Sequence, residues 1–216
     1  MIAESKSDYP TPGQAAPKRG VRAQAKLRTR ERVLAAARSL FTELGYEGAT
    51  IRHIAQAAGM STGAVFASFP DKDALFEEII LSDDAKAIEA MRAATAKAAN
   101  VEDALLGAFG VSYGYHLQQL PLLQARIGCS WTRSPETEMR MREARAPIRQ
   151  VVLDALADGI RRGELSAKID TPLVAQMLQD VATANYRFAI YDGWGAEELK
   201  TRMGDQIRLL LSGIKA

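Results

Sequence analysis

Residues 50–70 read TIRHIAQAAGMSTGAVFASFP, and this stretch decides the fold. Thr50 is placed to cap a helix of about two turns by accepting from its orphan amides, and Gly59 is placed to end it. Ser61 then caps a second short helix through Val65, Phe66 and Ser68. That helix has to close before Pro70, because the residue preceding a proline avoids helical angles. Ala55 is small enough to let the two helices cross closely, Gly59 permits a left-handed turn residue, and Val65 packs with Ile51 and Ile54. Two short helices joined by a tight turn beside a longer one make a helix-turn-helix.

The flanks supply the longer helices. Upstream, Val33, Leu34, Ala37, Leu40, Phe41 and Leu44 recur at three- and four-residue spacing and Gly45 follows as a stop, which predicts a helix over 24–44. Downstream, Asp71 caps a longer helix whose buried stripe is marked by Leu75, Phe76, Ile79, Ile80, Ile88 and Met91. Helical periodicity continues over 101–119, over 121–132 with Pro121 in the first turn, and over 136–162 after Pro135. Pro147 falls inside the last of these and kinks or splits it. The final two helices start after Asp170-Thr171-Pro172 and near Gly195, and run to about 191 and 212. Alternating β-branched runs are absent and alanine is abundant, so the fold class is all-α, with about nine helices. There is no internal repeat, and heptads are not sustained.

Composition excludes more than it proposes. A chain of 216 residues, 47% hydrophobic, 25% charged and 6% aromatic, is an ordinary globular protein large enough to bury a core. The single cysteine, Cys129, makes neither an intrachain disulfide nor a Cys-based zinc site, which sets a reducing, cytoplasmic location as the default. With His53 and His116 as the only histidines, no metal and no cofactor are expected. No run approaches the roughly 18–20 apolar residues of a membrane span, and Met1 to Gly20 contains no apolar stretch like that of a signal peptide. No nucleophile elbow, phosphate loop, paired histidines or dinucleotide pattern appears, and Cys129 with His116 forms no recognisable dyad, so an enzyme is not expected.

The formal charge of +2 is unevenly spread. Up to Arg32 there are eight basic side chains against three acidic, an excess of +5 that leaves −3 for the remainder. A basic end on a mildly acidic body suits a polyanion binder whose other domain does something else. Residues 1–22 mix Pro10, Pro12, Gly13, Pro17 and Gly20 with small polar residues, and read as a disordered basic arm.

The stretch from Arg30 to Ile80, TRERVLAAARSLFTELGYEGATIRHIAQAAGMSTGAVFASFPDKDALFEEII from Thr29, resembles the DNA-binding region of the TetR family of bacterial transcriptional regulators. The likeness covers the first helix, Gly45-Tyr46-Glu47-Gly48-Ala49-Thr50, the helix-turn-helix, and Phe69-Pro70 leading to Lys72 and Leu75. It implies a helix-turn-helix DNA-binding domain over 23–70, followed by a larger helical effector-binding and dimerisation domain over 71–216. The partners it implies are a double-stranded DNA operator, an unknown small-molecule effector and a second copy held through the last two helices. Repression is the family's commoner habit; activation stays open. An alternative is a helical interaction or effector-binding module whose DNA binding has degenerated.

A recognition helix beginning at Ser61 would enter the major groove with its N-terminal end toward bases and phosphates, making Ser61, Thr62, Gly63, Ala64, Ala67 and Ser68 the candidates. Thr50 would offer its hydroxyl and amide to a phosphate. By resemblance, Thr50, Phe66 and Lys72 hold phosphate-contacting positions; the family usually has tyrosine where Phe66 stands, and that hydroxyl is missing here. The recognition helix carries no Arg, Lys, Asn or Gln for bidentate base reading. Arg52, with Arg28, Arg19 and Arg22 of the first helix and arm, is therefore expected to carry a larger share through phosphates or a narrow minor groove.

For the effector, polar or aromatic groups on otherwise apolar helix faces nominate Tyr113, His116 and Leu117, then Cys129 and Trp131, and Asn185. The dimer stripes are Leu173, Val174, Met177, Leu178, Val181, Phe188 and Tyr191 on one helix, and Leu199, Met203, Ile207, Leu210 and Leu211 on the next, some of which face the protomer's own core. Deleting residues 1–22 is expected to weaken DNA binding and to reduce the steepness of log K against log salt by about 0.9 for each phosphate no longer neutralised. An unchanged slope and affinity would remove the arm from DNA binding.

Overall fold

The computed structural model describes residues 17–132 and 134–214, with side chains from residue 23. The described residues form ten helices and no strand: α1 (Pro17–Gly48), α2 (Ile51–Ala57), α3 (Thr62–Phe66), α4 (Lys72–Thr95), α5 (Val101–Leu117), α6 (Leu120–Cys129), α7 (Pro135–Ala144), α8 (Ala146–Arg161), α9 (Thr171–Asp192) and α10 (Ala196–Ser212). The tenth arises because the single helix expected over 136–162 is two. Pro147 lies in the first turn of α8, where its missing N–H costs nothing, whereas mid-helix it would have deleted a hydrogen bond. The backbone is helical from Pro17, so the arm expected over 1–22 ends earlier than read; proline's fixed φ suits a first helical residue. Residues 1–16 and the side chains of Arg19 and Arg22 lie outside the described residues.

Local signals set the helix ends. Gly45 interrupts α1 at φ 74 and ψ 169, a conformation that needs glycine. Gly59, at φ 64, makes the turn between α2 and α3. Thr50, Ser61 and Asp71 each accept a hydrogen bond from a first-turn amide of the helix they precede, from His53, Ala64 and Ala74 in turn.

Packing divides the apolar side chains into two main cores that α4 joins. Val33, Ala37 and Phe41 of α1, Ile54 and Ala55 of α2, Val65 of α3 and Phe69 form the first core with Leu75, Phe76, Ile79 and Ile80 of α4. Leu122 of α6 and Met141 of α7 also enter it. The second core is built from α5, α8, α9 and α10. Ile88 and Met91, further along α4, pack with Ala108 of α5 and Val151 of α8. Phe41 meets Phe76 edge-on at 5.5 Å between ring centres, and Tyr46 lies 4.7 Å from Phe76. α4 is thus a single rod with one end in each half of the molecule.

The two C-terminal stripes resolve into core and surface. Val174 and Leu178 are buried, Val181 and Phe188 pack at the edge of the second core, and Leu173, Met177 and Tyr191 are exposed. On α10, Leu199, Met203, Ile207 and Leu211 are buried in the protomer's own core with Leu210 packed against it, and the exposed apolar residue is Leu209.

Two basic residues of the N-terminal end are used inside the fold. Arg30 donates to the Ser68 carbonyl at 2.7 Å, pairs with Glu78 and lies over the Phe69 ring at 4.1 Å. Arg32 donates to the Ala58 carbonyl at 2.6 Å, closing the end of α2. Arg30→Ala should therefore lower stability by about 2 kcal/mol, and Arg28→Ala, on an exposed side chain, by less than about 0.5 kcal/mol, as read by urea denaturation.

Candidate DNA-binding surface and ligand cavity

Fold and capping leave a polar, small-residue surface around the helix-turn-helix. Thr50, Arg52, Ser61, Thr62, Gly63, Phe66 and Ala67 are exposed, as is Arg28 on α1, while Ala64, Ser68 and Lys72 are half-buried. Val65, Ala55 and Ile54 face inward and hold α3 against α2. Phe66 is 52% exposed, an apolar ring turned to solvent on a five-residue helix. Lys72 already serves the fold, because its ammonium donates to the Tyr46 carbonyl at 2.8 Å and lies 4.1 Å from that ring's centre. An ammonium has three N–H donors, so two are left for other partners. His53 and Gln56 of α2, which sequence reasoning did not select, are exposed as well.

The larger half of the molecule carries a partly open cavity of about 660 Å³ among α4 to α9. Of the six residues expected at an effector site, Tyr113, His116 and Trp131 line it. Leu117 packs against the second core instead, and Cys129 is half-buried outside the lining. Asn185 stands behind the wall, donating to the Tyr113 hydroxyl at 3.1 Å and to Gln206 at 2.7 Å, and accepting from Arg202 at 3.2 Å. Leu117 and Asn185 do not reach the cavity because one turns toward the core and the other toward α5 and α10, an orientation that only packing selects. Asn185 positions Tyr113 and is not itself a lining group.

A buried polar network links this cavity to the first core. Asp84 of α4, almost wholly buried, accepts from Arg126 of α6 at 2.6 Å and lies 3.3 Å from Nε2 of His116. His116 Nδ1 is 2.8 Å from the Tyr186 hydroxyl, which fits a histidine donating from Nε2 and accepting at Nδ1. Burial pushes the Tyr186 phenol up to about 12, so it remains a donor at neutral pH. Burial alone would raise the Asp84 carboxyl, but Arg126 and His116 together hold it below the usual carboxylate range. The adjacent Asp83 pairs with Arg38 of α1 at 2.7 and 2.8 Å, and Arg38 also donates to Gln119 at 2.7 Å. A void of about 40 Å³ lined by Asp83, His116, Gln119 and Arg126 lies at this junction.

Sequence reasoning missed Asp83, Asp84, Arg38, Arg126 and Tyr186. One signal was available. Asp83 and Asp84 stand at the three- and four-residue spacing of the apolar stripe that runs from Ile79 and Ile80 to Ala87 and Ile88, where charges have no reason to be unless paired. Their partners come from other helices and carry no such mark.

Comparison with known proteins agrees with this arrangement. Residues 33–79 match the family model of bacterial regulatory proteins, tetR family. The HTH-type transcriptional regulator UidR of Escherichia coli K12 is 25% identical over 188 residues, 86% of this chain and 92% of UidR. The HTH-type transcriptional repressor Rv1474c of Mycobacterium tuberculosis is 50% identical over 54 residues, 25% of this chain and 29% of that protein. Among solved structures, the transcriptional regulator FadR of Bacillus subtilis in complex with stearoyl-CoA shares the fold, with a TM-score of 0.73 at 17% identity over 82% of this chain and 96% of its own.

The Asp84 carboxyl is lower in the fold than in the unfolded chain, so its stabilisation is present above about pH 4 and is lost as acid protonates it in the folded state. Asp84→Asn should cost about 3 kcal/mol at pH 7 by urea denaturation. The gap to the parent protein should shrink as the pH is lowered toward about 3.

Proposed function

We propose that this protein, a member of the TetR family of bacterial transcriptional regulators, represses transcription by holding a near-palindromic operator as a homodimer and releasing it when a small molecule enters the cavity. Residues 23–70 read DNA with 1–22 as a basic arm, and 71–216 bind the effector and dimerise. The protein works in the cytoplasm, carries no catalytic residue and needs no cofactor. α3 enters the major groove, and Thr50, Arg52, Arg28 and Lys72 meet phosphates. The exposed Leu173, Met177 and Tyr191 of α9 and Leu209 of α10 support a dimer face on the last two helices. Two copies then present their recognition helices roughly 34 Å apart.

The observation that carries this reading is the pair Asp83–Asp84 on α4. One carboxylate binds Arg38 of the DNA-reading half, and the other binds Arg126 and lies against His116 at the cavity. An effector that prefers a different placement of Arg126 and His116 displaces α4, whose first turns belong to the core under α3. Such coupling typically spans about 1–3 kcal/mol and is reciprocal, so operator DNA must weaken effector binding by the same factor.

Footprinting on the DNA upstream of the protein's own gene, with and without small molecules, tests the proposal. Protection of a near-palindromic site that a small molecule relieves is the expected result. Binding without sequence preference would favour a helical module with degenerate DNA binding, the reading to which exposed Phe66 and the short side chains of α3 point. Phe66→Tyr restores a hydroxyl within the DNA-facing surface and should tighten operator binding about fivefold, or about 1 kcal/mol. Arg52→Ala should reduce the salt slope by about 0.9, measured by fluorescence anisotropy across a salt series.

A further inference from the structure

Arginines outnumber carboxylates in the lining of the cavity. Among the described residues five arginines line the cavity, against the carboxylates of Glu138 and Asp180. Counting Asp84 behind Arg126 still leaves the arginines in excess. Glu138 is divided between Arg142 at 3.0 Å and Arg145 at 3.3 Å, and Asp180 accepts from Gln176 at 2.7 Å. Arg149 is in a different position: its Nε is buried and has no hydrogen-bond partner. A guanidinium does not lose its proton, so this donor cannot escape by neutralisation, and buried donors are as a rule paired. Arg142, Arg145 and Arg149 lie close together in sequence across the α7–α8 junction, and all three line the cavity.

Another part of the lining is apolar. Met91, Phe109 and Tyr113, all nearly inaccessible to solvent, belong to it. An unpaired cationic donor and a set of apolar side chains in one lining describe a ligand with two unlike ends. A neutral ligand can offer Arg149 an acceptor but leaves the excess of arginines uncompensated, and a cation adds to it. We propose that the effector is an amphipathic organic anion. Its carboxylate or phosphate head is bound by Arg149 together with Arg142 or Arg145, and its apolar body lies on Met91, Phe109 and Tyr113. This rests on reading the cavity as the effector site.

Isothermal titration calorimetry of the full chain with decanoate, decyl phosphate, decanol and decylammonium tests it, the two anions separating a carboxylate head from a phosphate head. At least one anion should bind about tenfold more tightly than decanol, and decylammonium should bind more weakly than either. Arg149→Met should bring that anion to the level of decanol while leaving decanol unchanged. Arg142→Met, on a largely exposed side chain, provides a second variant with little bearing on folding and should reduce the same preference in part. Arg161→Met, outside the cavity, should change nothing. Equal binding of decanoate, decyl phosphate and decanol overturns the proposal, as does failure of both anions to bind, or an anion preference that survives Arg149→Met. Footprinting alongside keeps the two readings apart. Operator release by a neutral or cationic compound refutes the anion and leaves the regulator standing, whereas absence of any specific DNA binding refutes the regulator while the calorimetry still decides the anion.

Discussion

Asp83 and Asp84 are neighbours on α4, and consecutive residues of a helix point about 100° apart. The two carboxylates therefore reach different partners, Arg38 on α1 in one direction and Arg126 and His116 on α6 and α5 in the other. Taking such charges out of water costs several kcal/mol each, and most of that is recovered only while the partner stays in place. Both aspartates are buried, so α1, α4, α5 and α6 are held to one mutual arrangement or must change it together. The relation between the helix-turn-helix half and the cavity follows from that constraint. It also explains why α4 bridges the cores: its apolar stripe is divided between the two halves, and its two charges sit where the division falls.

The charge pattern gains meaning from the same geometry. The excess of +5 before residue 33 looks like a single phosphate-seeking block, yet Arg30 and Arg32 turn inward to close the ends of α3 and α2. Among the described residues Arg28 on α1 and Arg52 on α2 are exposed, and Arg32 is exposed as well apart from its bond to α2. The body, with its formal −3, is not uniformly acidic either. It holds a cavity whose lining is rich in arginine. Net charge sums over such arrangements and hides them.

The recognition helix is consistent with this division of labour. Five residues capped by Ser61 expose Thr62, Gly63 and Phe66, which bring few hydrogen-bonding arms to the surface. Affinity in such a surface leans on the positively charged neighbours and on how easily the DNA itself is shaped. At the other end of the chain, α10 buries one face in its own protomer so that its large exposed apolar side chain is Leu209, while α9 exposes Leu173, Met177 and Tyr191.

Much of this was legible in the residues themselves, and the reason is local. Caps at Thr50, Ser61 and Asp71, breaks at Gly45 and Gly59, and prolines in first turns act through hydrogen bonds and φ angles within a few residues, so the sequence determined the all-α class, the helix-turn-helix and the order of the helices, while α1 extends beyond both of its expected ends and α6 stops short. Even the splitting at Pro147 followed from a missing N–H. What the sequence could not rank was which side of each later helix faces what. Tyr113, His116 and Trp131 line the cavity, whereas Leu117, Cys129 and Asn185, equally eligible by type and spacing, do not. Arg38, Arg126 and Arg149 differ little as letters, yet one ties α1 to α4, one balances Asp84 and one buries an Nε that has no hydrogen-bond partner among the described residues. Those roles are set by contacts between residues tens of positions apart, which only the packing of α1 against α4 and α6, and of α7 and α8 around the cavity, decides.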